Sequence, residues 1–223
     1  MLDAAQDVVE MQGTVRITGK VIARDMSYEE FLATDFENPH VEWVNGVVIE
    51  MSPVGRQHNA LTRFLIQLFE DFLMLAGIEG EVFHDPMVMK LNPDLPGRAP
   101  DVQVILSENL SIVKENEVAG AADLVVEVVS PGSQRQDRIE KYGEYEKGGV
   151  KEYWILDATR RETLFYQLNE QGVYDLVDTT STGIYQSRVL PGLKLNVDLF
   201  WREQLPRGPE IADLVKNMLA EDK

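Results

Sequence analysis

Apolar positions recur every three and four residues at Leu61, Phe64, Leu65, Leu68, Phe69, Phe72 and Leu73, which predicts an amphipathic helix laid on a core, with Gly77 closing it. Upstream, VEWVNGVVIEM at 41–51 sets Asn45-Gly46 between two apolar runs. Both residues tolerate positive φ, so a hairpin with a type I′ turn is expected there. Ser27 and Glu30 stand at capping-box spacing and predict the start of a short helix. Residues 81–91, 100–106, 123–129 and 151–157 read as strands. DLVVEVV at 123–129 is apolar almost throughout, which predicts a central strand buried on both faces. Ser133 can cap a helix over 134–147 that Gly148-Gly149 closes. Strand, helix and strand in succession between 123 and 157 predict a βαβ crossover. Shorter runs near 162–168, 173–178 and 187–195 read as an antiparallel meander, and 209–220 as a terminal helix. Residues 1–25 lack periodicity and read as a lead-in or an extra edge strand. The expected organisation is a lead-in over 1–25, one domain over 26–200 and a helical extension over 201–223.

Composition adds exclusions. The 223 residues contain no cysteine, which removes disulfides, thiolate metal sites and cysteine nucleophiles. Three histidines (His40, His58, His84) leave little room for a histidine-only metal site. Lys+Arg 21 against Asp+Glu 38 gives a net charge of −17. Such a surface repels nucleic acid and anionic membranes at long range, so binding a polyanion would require a local basic strip or metal ions. No apolar run approaches the roughly 18 residues that span a bilayer, and the acidic start does not resemble a signal peptide. A cytoplasmic protein without membrane contact is expected.

Glu127 is the residue that most requires an explanation. A carboxylate inside DLVVEVV is costly to bury unless it is paired or binds a cation. Asp101 opens the strand at 100–106, where a turn or strand-start aspartate is the ordinary reading. Together, two carboxylates on neighbouring strands can share a hard divalent cation, with water and a substrate phosphate completing its shell. Lys141 lies in the following helix, four residues after Asp137. It reads either as half of a surface helix ion pair or as a cation reaching back over the strand end to stabilise charge on a phosphate. His58 is either a capping residue or a group facing a site. Glu42 is either on a solvated strand face or turned inward with the other carboxylates.

These stretches also carry a resemblance. SYEEFLA at 27–33, VEWVNGVVIEMSP at 41–53 with His58 after it, RAPDVQVI at 98–105, DLVVEVVSPGSQRQDRIEKYGEYEKGGVKEYWILD at 123–157 and VLPGLKL at 189–195 resemble the Uma-two family of restriction endonucleases, in the PD-(D/E)XK superfamily. The resemblance covers roughly residues 26–200. It implies an α/β restriction-endonuclease-like fold, with an αβββαβ core, a mixed central sheet and additional antiparallel strands. It also implies Mg²⁺-dependent endonuclease action on DNA, with Mn²⁺ as an alternative ion and a homodimer as the working assembly. Asp101 and Glu127 match the metal-binding carboxylates, Glu42 an additional acidic ligand, and His58 a recurrent site position. The superfamily's lysine, two residues after the glutamate, is replaced here by Val129; Lys141 on the next helix fits its place, with Lys90 and Arg98 as substitutes. A degenerate nuclease fold that binds nucleic acid, or that serves as a homodimeric interaction protein, is the alternative.

Overall fold

The computed structural model describes residues 10–12, 15–17 and 19–220. Residues 1–9, 13, 14 and 18 of the expected lead-in, and 221–223, the end of the expected extension, lie outside these. In chain order the strands are β1 (Glu10–Gln12), β2 (Val15–Ile17), β3 (Lys20–Ala23), β4 (Val41–Val44), β5 (Val47–Glu50), β6 (Gly80–Phe83), β7 (Val88–Lys90) and β8 (Gly97–Arg98). They continue with β9 (Val102–Leu106), β10 (Glu117–Val118), β11 (Leu124–Val129), β12 (Glu152–Asp157), β13 (Glu162–Leu168), β14 (Tyr174–Leu176), β15 (Ile184–Gln186) and β16 (Lys194–Asn196). The helices are α1 (Tyr28–Ala33), α2 (Arg56–Ala76), α3 (Tyr142–Gly148) and α4 (Pro209–Ala220).

Two six-stranded sheets organise the chain, ordered β10-β7-β8-β4-β5-β3 and β14-β13-β12-β11-β9-β6. The second holds the core predicted for a restriction-endonuclease-like fold. β6, β9 and β11 are antiparallel neighbours, and β11 runs parallel to β12 with Leu124 opposite Glu152 and Val129 opposite Asp157. Side chains alternate across a strand. Val102, Val104, Leu124, Val126 and Val128 therefore pack under α2 and α4, while Ile105, Val125 and Val129 face Tyr145 of α3. Glu127 shares the parity of Val125 and Val129, so its carboxylate is directed to the α3 face. α4 belongs to this core, since Ile211, Val215 and Met218 join the cluster built on α2.

Local signals account for the element ends. Ser27 Oγ accepts from Glu30 N at 3.1 Å while Glu30 Oε2 accepts from Ser27 N at 2.8 Å, the reciprocal capping box that starts α1. Asn45 and Gly46 take φ of 48° and 89° in the β4–β5 turn, and Gly77 closes α2 at φ 67°. β3 pairs with β5 as an edge strand, so part of the lead-in joins the sheet.

Two expectations fail. Residues 81–91 form two strands rather than one: β6 belongs to one sheet and β7 to the other, with His84-Asp85-Pro86 between them. Proline has no N–H for a ladder, so the run breaks there. The segment 187–195 does not extend the meander of β13 and β14. It is mostly the loop joining β15 to β16, a separate two-stranded hairpin, because Ser187 Oγ and the N–H groups of Arg188 and Val189 bond to Glu152 and Pro191-Gly192 turns the chain.

Candidate active site

The helix after β11 begins at Gln134 but adopts a π-helical turn over Gln136–Lys141 before continuing as α3. Such a turn accommodates an extra residue and is frequent at functional sites. Here Gln136, Asp137 and Lys141 are all buried. Lys141 is therefore not half of a surface ion pair. Its Nζ lies 2.8 Å from Glu127 Oε1, 3.4 Å from Glu42 Oε1 and 3.6 Å from Asp137 Oδ1. Burial would lower the ammonium's pKa, but the charges of Glu127, Glu42 and Asp137 hold it well above the usual lysine range.

Behind Lys141 stands a second layer. Glu42 is fully buried; Oε2 accepts from Arg98 Nη1 at 2.8 Å and Gln136 Nε2 at 3.0 Å, and Oε1 accepts from Ala99 N at 3.4 Å. Burial raises its pKa, but the Lys141 and Arg98 charges outweigh that and hold it below the usual carboxylate range. Arg98 donates two more bonds, each 2.7 Å, to Glu144. Arg98 is therefore committed to this triad, while Lys90 bonds to the Pro93 and Leu95 carbonyls and lies 4.3 Å from the Trp43 ring centroid. Neither substitute lysine-site candidate lines the cavity described next.

A cavity of about 400 Å³ opens over this cluster, with His58, Asp101, Glu127, Asp137 and Lys141 in its wall. Asp101 precedes β9. Extending the β9–β11 register by one residue, from Val102 opposite Val126, brings Asp101 level with Glu127. Asp101 Oδ2 accepts from Val128 N at 2.7 Å and lies 3.1 Å from His58 Nε2. His58 is in the first turn of α2, and although burial opposes its charge, Asp101 and then Asp137 raise its pKa. Tyr145 donates to Glu127 Oε1 at 2.7 Å, and Ser133 Oγ donates to Asp137 Oδ2 at 2.6 Å. Of the five residues singled out from the sequence, four line one cavity and Glu42 stands behind it. Asp137 is the addition that sequence spacing placed on the surface. Tyr145 is a second addition, because its hydroxyl holds the Glu127 carboxylate.

The donor chemistry fits a hard divalent cation. Both bonds to Glu127 fall on Oε1 and both contacts to Asp101 fall on Oδ2, so Glu127 Oε2 and Asp101 Oδ1 are available. Burial pushes Glu127 well above the usual carboxylate range; Lys141 opposes this, and Asp137 and Asp101 add to it. Burial likewise pushes Asp137 up to about 6. Carboxylates in excess of cations are what an added cation would relieve. Among the described residues, no three His, Asp or Glu side chains converge as a ready-made metal site. Two carboxylates with water and substrate completing the shell is a usual arrangement for Mg²⁺.

The mixed sheet and its added antiparallel strands are those of a restriction-endonuclease-like fold. The chain belongs to the Uma2 family, described as "Putative restriction endonuclease", which matches residues 28–198. A solved structure of similar fold is a "putative nuclease belonging to DUF820" from Anabaena variabilis ATCC 29413. Its TM-score is 0.62 at 17% identity, over 78% of this chain and 96% of that one. No curated protein matches. Among the described residues no helix is long and apolar enough to cross a membrane.

Proposed function

We propose that the chain is a Mg²⁺-dependent endonuclease that hydrolyses DNA phosphodiester bonds, with Mn²⁺ as an alternative ion and two copies acting on the two strands. The observation that carries this is Lys141 Nζ held 2.8 Å from Glu127 in the wall that also holds Asp101. Asp101 and Glu127 would hold the ion. When bound, it supplies positive charge against the phosphodiester and makes water more acidic. Lys141 presents an ammonium whose remaining donor capacity orients the attacking water and stabilises charge developing on phosphate. Glu42, with both oxygens engaged, fixes Lys141 instead of serving as a third ligand. His58 and the Val128 N–H hold Asp101, and Tyr145 holds Glu127. The lysine thus enters from the helix, and Val129 in β11 fills the position that the superfamily's strand lysine would take.

Two observations favour a second reading, a nucleic-acid-binding module that does not cleave. Three carboxylates already surround Lys141, and the net charge is −17. Incubating supercoiled and linear DNA with purified protein, with and without Mg²⁺ or Mn²⁺, separates the two. The nuclease reading expects metal-dependent nicking that Glu127→Gln and Lys141→Ala each abolish; tight binding without cleavage would favour the module.

A further inference from the structure

The cavity wall contains three side chains able to carry a proton as a cation: His40, His58 and Lys141. Two of them are engaged. Lys141 faces three carboxylates. His58 has Asp101 at Nε2 and Thr62 Oγ1 at 3.5 Å from Nδ1. His40 differs. Its Nδ1 bonds to Asp85 Oδ2, and its Nε2 makes no hydrogen bond to any of the described residues. Its backbone is pinned on both sides, with N donating to Asn38 Oδ1 at 3.1 Å and O accepting from Met51 N at 2.9 Å. The side chain is 50% exposed, so its proton can be replenished from solvent.

Asp85 also lines the cavity, from the turn between β6 and β7. Its Oδ1 is buried without a hydrogen-bond partner, which leaves the carboxylate dependent on His40. Burial pushes its pKa up, His40 pulls it back, and the charges of Asp101 and Glu42 push it up again, so Asp85 lies within electrostatic reach of the buried cluster.

We propose that His40, oriented by Asp85, is the proton donor to the leaving oxygen of the phosphodiester. The inference rests on the nuclease reading. As the water oxygen bonds to phosphorus and releases one proton to solvent, the bond from phosphorus to the leaving oxygen breaks and its electron pair stays on that oxygen. The imidazolium gives its Nε2 proton to that oxygen and becomes a neutral ring with its remaining proton on Nδ1, facing Asp85. Solvent then returns a proton to Nε2. His40 is the catalytic residue in this step and Asp85 its positioning residue.

The test compares duplex DNA with the 4-nitrophenyl ester of thymidine 5′-phosphate, whose leaving group requires no proton. His40→Gln should lose about 100-fold or more on DNA and less than about threefold on the nitrophenyl ester. Asp85→Asn should show the same pattern in smaller measure, and imidazole ¹⁵N spectra should show the neutral His40 ring shifting away from the Nδ1–H form. Equal losses on both substrates, no loss on DNA, or an unchanged ring tautomer in Asp85→Asn would overturn the assignment while leaving the nuclease reading in place. A wild type that cleaves neither substrate with any divalent ion would overturn both.

Discussion

Lys141 Nζ and Glu127 Oε1 are 2.8 Å apart although 14 residues separate them, and both side chains are buried. Glu127 lies in β11 and Lys141 in the helix that carries the chain over to β12. The ion pair therefore ties a βαβ crossover to its own first strand, at the point where the cavity opens. Pairs this deep lose hydration on both sides and stabilise only when nearly every charge has a partner.

Removing the ammonium leaves Glu42, Glu127 and Asp137 buried with one cation fewer. Lys141→Met should cost about 3–5 kcal/mol of unfolding free energy, read from urea midpoints in metal-free buffer. The double variant Lys141→Met/Glu127→Gln should recover part of the loss, because one stranded charge is gone. A single variant as stable as wild type would show that the cluster is not ionised as described.

Glu127 and Glu42 separate two roles. Glu127→Gln should remove calorimetric Mg²⁺ binding measured with an uncleavable DNA analogue present. Glu42→Gln should retain binding and lose roughly 10–100-fold in cleavage rate, as expected of a residue that acts by holding another. Loss of Mg²⁺ binding in both variants would make Glu42 a ligand after all.

Asp137 titrates on the destabilising side. Its folded-state value of about 6 lies above the ordinary 3.8, so the protonated form is favoured by folding. That stability is fully present below about pH 4 and is lost as pH rises through about 6. Asp137→Asn cannot ionise and escapes the loss. The stability difference between variant and wild type should therefore grow in the variant's favour between pH 4 and 7, by about 3 kcal/mol at 1.36 kcal/mol per pH unit. Denaturation of metal-free protein across that range measures it; a constant difference would contradict the shift.

The sequence exposed much of this site because its chemistry conflicts with its surroundings. Glu127 stands out in an apolar run, and Asn45-Gly46, Gly77 and the Ser27 capping box announce elements by short-range rules. What stayed hidden depends on geometry that spacing does not encode. Asp137 and Lys141 are four apart, which on a regular helix surface reads as a solvated pair; only the π turn brings Gln136, Asp137 and Lys141 inward together. Glu42 follows the alternation of an ordinary hairpin strand, and its burial depends on Arg98, 56 residues away. His40 and Asp85 belong to no periodic pattern, and they meet only because the run 81–91 breaks at Pro86.

Glu152 was equally unmarked, a lone acid at the start of a strand, yet it is fully buried. Oε1 accepts from Trp154 Nε1 and Tyr185 OH, each at 2.7 Å, and Oε2 accepts from Ser187 Oγ and the backbone N–H groups of Arg188 and Val189 at 2.9–3.0 Å. It thereby fastens the β15–β16 hairpin to β12. Glu152→Ala strands these donors, and each unsatisfied buried group costs about 1–3 kcal/mol, so the loss should reach at least about 3 kcal/mol. Glu152→Gln keeps one acceptor oxygen and should fall between the two. Glu152 pairs with Leu124, at the opposite end of β11 from Val128 and the cavity. Cleavage per folded molecule should therefore be unchanged in Glu152→Gln even as its urea midpoint drops. A midpoint equal to wild type would mean that the hairpin is held by its apolar contacts, with Leu193 and Leu195 in the core, rather than by this carboxylate.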